Sequence, residues 1–172
     1  GKTEIYIHLI QKAIDEHKQV LYLLPEIALT VQITERLKAV FGNRLGIYHS
    51  KYSDAERVEI WQKQLSAQPY DVILGARSAV FLPFQRLGLV IIDEEHEQSF
   101  KQQDPAPRYH ARSASIVLAQ MYASAKTLLG TATPSMETYY NAQQGKYGLV
   151  ELTRRYKDIH LPAIEVVDVK DL

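Results

Sequence analysis

The sequence contains no cysteine, which excludes a disulfide framework and any zinc site built on thiolates. It also has no excess of either charge, since 20 Lys and Arg residues balance 20 Asp and Glu residues. The chain therefore lacks the basic surplus of many nucleic-acid-binding domains, although a narrow groove that tracks a strand needs no such surplus. No apolar run approaches the roughly 18 residues needed to cross a bilayer, so we expect no membrane contact.

The N-terminal residues show no sign of a secretory leader. Gly1-Lys2-Thr3-Glu4 precedes no apolar segment with a cleavage site, so we expect a cytoplasmic protein. With 172 residues the chain is long enough to bury a core of its own.

Short apolar runs alternate with segments of helical periodicity along most of the chain. The runs predict strands at residues 20–24, 45–48, 71–74, 89–92 and 126–130. The helical spacing predicts helices near residues 5–14, 28–41, 53–65, 111–123 and 134–144. Ser53 with Glu56 forms a capping box at the third helix, and Thr133-Pro134 predicts the start of the last. This alternation indicates an α/β fold whose mostly parallel sheet is covered by helices on both faces.

The C-terminal residues follow a different pattern. Residues 149–152 and 164–167 are two further predicted strands on either side of a polar segment. We interpret residues 1–150 as one domain and residues 151–172 as strands and a linker that lead away from it.

Ligands of open parallel sheets bind at the carboxyl ends of the strands. The predicted strands end in small, polar or charged residues, namely Pro25-Glu26, His49-Ser50, residues 75–78, residues 93–96 and residues 130–133. The end at Asp93 is the most polar, because five ionisable residues follow four aliphatic ones. An exposed acidic turn would be the structural alternative, but residues 93–97 contain no Gly, Pro, Asn or Ser to form one.

Two segments together predict a nucleotide site. Gly1-Lys2-Thr3 matches the end of a phosphate-binding loop, in which the lysine binds phosphate and the threonine binds Mg²⁺. A carboxylate such as Asp93 at a strand tip can hold Mg²⁺, and the adjacent Glu94 can orient and deprotonate the attacking water. A zinc site at His96 is the alternative, but the second histidine of H-E-x-x-H is missing, so we expect no zinc.

In this order, the segments resemble the motifs of superfamily 2 helicases. Motifs I, Ia, Ib, II and III correspond to residues 1–3, 24–30, 75–81, 93–96 and 130–135. Residues 101–103 and 108–112 narrow the resemblance to the primosomal replication-restart helicases, and it covers nearly the whole chain. The resemblance implies a RecA-like, three-layer P-loop NTPase fold, truncated at the N-terminal phosphate-loop strand, with ATP and Mg²⁺ as cofactors.

The resemblance also implies roles for single residues around the nucleotide. Gly1 and Lys2 would bind phosphate, Thr3 and Asp93 would hold Mg²⁺, and Glu94 would act on the attacking water. His96 would relay between nucleotide and DNA. The residues that couple the nucleotide site to the DNA face would be Thr131 and Thr133.

A second set of residues is implied to face DNA. Near the DNA backbone the resemblance places Pro25, Glu26, Arg77 and Ser78. Residues 97–112 occupy the position of an aromatic-rich loop that links DNA binding to hydrolysis in this family. Its aromatic side chains could stack on bases and its basic side chains could bind phosphates, namely Phe100 and Tyr109, and Lys101, Arg108 and Arg112.

The activity implied is that of an ATP-driven 3′-to-5′ DNA helicase that acts at stalled replication forks in the bacterial nucleoid. Its partners would be single-stranded or forked DNA, replication-restart proteins and single-strand-binding proteins. Because the family's catalytic unit has two RecA-like lobes, we expect this chain to be the first lobe only, monomeric and inactive alone. Two alternatives remain open: another superfamily 2 translocase, and a non-catalytic module that docks replication proteins.

Overall fold

The computed structural model describes residues 1–49 and 51–153. The helices of this part are α1 (Lys2–Asp15), α2 (Val31–Phe41), α3 (Asp54–Leu65), α4 (Ala111–Gln120) and α5 (Met136–Gln143). The strands are β1 (Gln19–Leu23), β2 (Leu45–Tyr48), β3 (Val72–Gly75), β4 (Leu87–Asp93) and β5 (Lys126–Gly130). Each strand coincides with one of the predicted apolar runs to within a few residues.

The strands form one sheet in the order β2-β3-β1-β4-β5, and every neighbouring pair is parallel. The predicted α/β architecture is therefore confirmed. Leu23 lies beside Gly75 on one side and beside Ile92 on the other, and Asp93 lies beside Gly130. Because the strands are parallel, this register brings the polar strand ends together at one edge of the sheet.

Both faces of the sheet are covered, which explains why the strands are continuous apolar runs instead of alternating ones. On β1, Tyr22 faces the core beneath α1 and α2, whereas Leu21 and Leu23 face the core beneath α3 and α4. All five residues of β1 are buried. The site described below thus lies at the carboxyl end of a sheet whose central strand is fully buried.

Two helix starts test the capping predictions. The capping box of α3 is confirmed, since the Ser53 hydroxyl accepts a bond from the Glu56 amide and the Glu56 carboxylate accepts one from the Ser53 amide. The predicted start of α5 at Thr133-Pro134 is wrong. Ser135 caps this helix by accepting a bond from the Thr138 amide, whereas the Thr133 amide donates to the Thr131 hydroxyl at 3.0 Å.

The segment after α5 differs from its prediction. Residues 149–152 form no strand and lie in an irregular stretch of the described chain. The strand predicted at residues 164–167 lies outside the described residues. The domain boundary near residue 150 remains a prediction. No helix within residues 1–49 and 51–153 has the length and apolar character needed to cross a bilayer.

Candidate functional site

The start of α1 meets the end of β4 through an ammonium group that two carboxylates share. The Lys2 Nζ lies 2.7 Å from Glu94 Oε1 and 3.2 Å from Asp93 Oδ1. Burial alone would lower the pKa of Lys2, but the hydrogen bond to Glu94 and the charge of Asp93 outweigh it and raise this pKa. The structure therefore brings together the lysine and the acidic pair that were predicted from separate segments.

Asp93 is held firmly at the strand tip. Only 9% of the residue is exposed, and its Oδ1 accepts hydrogen bonds from the Tyr6 hydroxyl at 2.9 Å and the Glu94 amide at 3.1 Å. Burial and the nearby Asp93 charge raise the pKa of Tyr6, so its hydroxyl keeps its proton and acts as a donor. Tyr6 could not be identified as a site residue from the sequence, because its position on α1 is that of an ordinary core residue.

The backbone conformation at Glu94 directs the side chains of Glu94 and Glu95 into different environments. Glu94 has a φ of +51°, an uncommon left-handed conformation for a residue with a side chain. Its carbonyl accepts a bond from the Glu97 amide at 2.9 Å, and the Glu95 amide bonds the Gly130 carbonyl at 3.1 Å. The Glu94 side chain is 34% exposed and the Glu95 side chain is fully buried. Glu94 is therefore presented to the open edge while Glu95 points inward.

Glu95 connects three elements beneath the site. Its carboxylate accepts bonds from Arg112 Nη1 at 2.7 Å, the Ser135 amide at 2.8 Å and the Thr138 hydroxyl at 2.9 Å. Burial alone would raise the pKa of Glu95, but the bonds from Ser135, Arg112 and Thr138 together lower it. The Arg112 side chain is only 14% exposed, and its guanidinium neutralises this buried carboxylate. The structure therefore gives Arg112 a partner inside the protein, and its contact with a DNA phosphate stays a prediction.

His96 joins the ends of β4 and β5. Its Nδ1 lies 2.7 Å from the Thr131 hydroxyl, and its Nε2 lies 3.5 Å from the Thr133 hydroxyl. The Thr133 amide bonds the Thr131 hydroxyl as well, so these groups form one connected set. The structure therefore places the three residues of the predicted coupling path in contact, and their role in coupling stays a prediction.

The predicted DNA-facing residues at the ends of β1 and β3 are neighbours. Pro25, Glu26 and Arg77 line a cavity of about 40 Å³, together with Ser99 at the start of the following loop. Arg77 Nη1 donates to the Ser99 carbonyl at 3.1 Å, and Ser78 is half-buried beside it. Glu26 is exposed and Pro25 is buried. DNA contact by these four residues stays a prediction.

The predicted aromatic-rich loop is closed at its base. Lys101 forms an antiparallel bridge with His110, and the Gln102 amide bonds the Tyr109 carbonyl at 2.9 Å. Lys101 and Arg108 are exposed, as phosphate-binding residues must be. The Tyr109 ring packs edge-on against Phe81, with 4.7 Å between the ring centroids.

Phe100 occupies a different environment from the one predicted. It is fully buried in the core beneath α3 and α4, so its ring is not available to stack on a base. The prediction for Phe100 is therefore wrong. Phe81, whose ring contacts Tyr109 of this loop, is 57% exposed and was not predicted as a site residue. The one feature of the sequence that could have indicated a role for Phe81 is its position at the end of motif Ib.

The residues at the carboxyl end of β4 and the start of α1 fit a magnesium ion. The arrangement of Asp93 and Glu94 around the Lys2 ammonium shows that positive charge is favoured at this point. Mg²⁺ takes oxygen ligands, and it is commonly held by one or two protein groups plus substrate phosphates and water. The protein ligands would be the Asp93 carboxylate and the hydroxyl of Thr3. Among residues 1–49 and 51–153 there is no group of three or more His, Cys, Asp or Glu side chains that could hold a metal without such a substrate.

Comparison with known proteins identifies the family to which this chain belongs. The sequence profile of the DEAD/DEAH box helicase family matches residues 1–142. Similar full-length proteins include "Replication restart protein PriA" of Bacillus subtilis (strain 168), which is 42% identical over 99% of this chain and 21% of its own length. The protein of the same name from Rickettsia felis is 47% identical over 98% of this chain and 26% of its own length. The chain thus spans about a fifth to a quarter of these relatives.

Solved structures with a similar fold are more distant in sequence. One is the C-terminal part of the Fun30 ATPase domain, with a TM-score of 0.50, 18% identity and coverage of 76% of this chain and 40% of that one. Another is the Mycobacterium smegmatis helicase Lhr bound to ssDNA and AMP-PNP, with a TM-score of 0.51, 19% identity and coverage of 73% and 18%. These similarities confirm the RecA-like α/β fold.

Proposed function

The chain belongs to the DEAD/DEAH box helicase family, and we propose that the protein carrying it is an ATP-dependent 3′-to-5′ DNA helicase that restarts stalled replication forks. The observation that carries this proposal is the contact of the Lys2 ammonium with Asp93 and Glu94, which joins the predicted phosphate-binding and hydrolytic residues in one site. The printed name of the similar proteins, replication restart protein, supports the role at forks.

The geometry supports a division of labour during hydrolysis. In the present arrangement Lys2 neutralises Glu94, so binding of ATP phosphates to the Lys2 ammonium would release the Glu94 carboxylate. The freed carboxylate can orient a water and accept its proton. Mg²⁺ bound at Asp93 and Thr3 would supply neutralisation of the charge on the β- and γ-phosphates. Lys2 thus acts as both the phosphate ligand and the group that keeps the base paired until nucleotide arrives.

The DNA-facing residues connect to this site by short paths. Arg77 contacts the backbone at Ser99, at the start of the loop that carries Lys101 and Arg108. The far end of that loop leads into α4, whose Arg112 binds Glu95, the neighbour of Glu94. Single-stranded or forked DNA held by the exposed loop could therefore alter the position of the strand tip. Replication-restart and single-strand-binding proteins are the partners that we propose for the whole protein in the bacterial cytoplasm and nucleoid.

We propose that this chain supplies one half of the catalytic unit and is a monomer without turnover of its own. A second RecA-like lobe would contribute the transition-state charge that, in related phosphoryl transfer, is worth roughly 10³–10⁵ in rate. DNA-stimulated ATP hydrolysis by the 172-residue chain alone would contradict this part of the proposal.

Strand displacement tests the proposed activity of the full-length protein. We expect it to unwind forked DNA and duplexes with a 3′ single-stranded tail, and to leave duplexes with only a 5′ tail intact. Lys2→Ala should abolish unwinding, whereas Lys12→Ala, which changes an exposed lysine on the same helix, should not. DNA-stimulated hydrolysis without displacement would favour a translocase, and retention of fork restart by Lys2→Ala would favour a docking module.

A further inference from the structure

Tyr6 lies where α1 packs against the tips of β4 and β5. It is one turn beyond Lys2 and Thr3, and only 3% of it is exposed. Its hydroxyl donates a 2.9 Å hydrogen bond to Asp93 Oδ1, the oxygen that also accepts from the Glu94 amide. Asp93 is thus fixed by a buried side chain from another element as well as by its own backbone.

The end of β5 leaves room for this bond. A Cβ atom at Gly130 would lie 1.8 Å from the Tyr6 hydroxyl oxygen and 3.2 Å from Asp93 Oδ1. Gly130 is the register partner of Asp93, so the absence of a side chain at this one position lets the hydroxyl reach the carboxylate. The strand tip is therefore shaped around the Tyr6–Asp93 pair.

Tyr22 provides a comparison within the same core. Its ring centroid is 5.5 Å from that of Tyr6, and the residue is fully buried on β1. Its hydroxyl has no hydrogen-bond partner among the described residues. Two neighbouring buried tyrosines therefore differ in one respect that matters here: only Tyr6 bonds the Asp93 carboxylate.

We propose that Tyr6 is a positioning residue, whose hydroxyl orients the Asp93 carboxylate for binding the divalent cation that accompanies the nucleotide. This inference rests on the proposed function, because it takes Asp93 as the cation ligand. A hydrogen bond to a carboxylate ligand fixes the direction in which its oxygens face, and loss of such a partner typically weakens metal binding about 10- to 100-fold. Tyr6 itself would touch neither the cation nor the nucleotide.

The test compares Tyr6→Phe with Tyr22→Phe in the full-length protein. Each change removes one buried hydroxyl and keeps the ring, so the packing of the core is matched. Binding of Mn²⁺ in the presence of ADP is measured by electron paramagnetic resonance, nucleotide affinity is measured in EDTA, and folding is checked by the urea midpoint. We expect Tyr6→Phe to weaken Mn²⁺ binding about tenfold while nucleotide affinity in EDTA is unchanged. Tyr22→Phe should leave both at the wild-type value.

Equal Mn²⁺ affinities in wild type and in a folded Tyr6→Phe variant would overturn the inference, as would equal losses in both variants. A wild-type protein that binds no Mn²⁺ with ADP would overturn it too. The proposed function fails separately: if wild type binds Mn²⁺ and ADP but hydrolyses no ATP with DNA, the helicase proposal is wrong. A Mn²⁺ shift confined to Tyr6→Phe would then still support the positioning role.

Discussion

Replacing Arg112 with methionine tests whether the buried contact with Glu95 holds the strand tip in place. Glu95 is fully buried, and Arg112 is its one cationic partner in the described chain, with 2.7 Å between Nη1 and Oε2. Removing one member of a buried ion pair costs about 3–5 kcal/mol, because the remaining charge stays buried without compensation. Glu95 would keep its bonds to the Ser135 amide and the Thr138 hydroxyl, so we expect a loss near the lower limit, about 3 kcal/mol.

Urea unfolding of the 172-residue chain at neutral pH measures this loss, and the chain offers a matched control. The Arg44–Asp71 pair has a similar distance, 2.8 Å, but the Arg44 side chain is 49% exposed. Arg44→Met should cost less than about 1 kcal/mol, as exposed pairs do. The double variant Glu95→Gln/Arg112→Met should be more stable than the sum of the single losses predicts, because it leaves no lone charge. Equal, small losses in Arg112→Met and Arg44→Met would refute the reasoning.

The pH dependence of the unfolding free energy is a second test of the contact between Glu95 and Arg112. Since the folded state lowers the pKa of Glu95, its carboxylate stabilises the fold above its unfolded pKa of about 4.3. This stabilisation is lost as the pH falls through the lower, folded value. In Arg112→Met the folded pKa rises toward or above the unfolded value, so the variant should lose less stability than wild type as the pH falls through this range, and the difference between the two proteins should narrow. Parallel pH profiles for the two proteins would contradict this assignment.

The remaining predictions concern single side chains. Phe100→Ala should cost about 3–5 kcal/mol in urea unfolding because the ring is fully buried, whereas Phe81→Ala, at a 57% exposed site, should cost less than about 1 kcal/mol; similar losses would contradict the buried placement of Phe100. Ser53→Ala should cost about 1 kcal/mol, since it removes the capping box of α3, and an unchanged urea midpoint would show that the cap adds nothing. In the full-length protein Lys2→Met should abolish binding of a fluorescent ATP analogue, and retained affinity would contradict its role as a phosphate ligand.

The strands and the nucleotide site at their carboxyl ends could be predicted because the sequence patterns that indicate them are local. A strand buried on both faces must be a continuous apolar run, and a polar strand end must lie at the carboxyl edge of a parallel sheet. The acidic pair Asp93 and Glu94 at the end of β4 therefore predicted the site from the sequence alone. The spacing of Ser53 and Glu56 likewise predicted a helix start, since both capping bonds form within one turn.

The features that could not be predicted depend on long-range contacts. Phe100 and Arg112 lie in a polar stretch that suggests an exposed loop, but packing under the helices buries the ring and Glu95 binds the guanidinium. Tyr6 and Asp93 are 87 positions apart, so no local pattern announces their bond. The start of α5 was misplaced because Ser135 competes with Thr133 as the cap, and the contact of Ser135 with Glu95 favours it.

The central claim is that Glu94, at the end of β4, is the general base for ATP hydrolysis in a DNA helicase. It is tested most directly by Glu94→Gln in the full-length protein, with ATP hydrolysis measured with and without single-stranded DNA. Loss of a general base should lower DNA-stimulated hydrolysis by about 10²–10⁴, whereas Glu59→Gln, at an exposed position on α3, should not. Binding of an ATP analogue should survive, because Lys2 remains in place. Hydrolysis by Glu94→Gln at the wild-type rate would contradict the account.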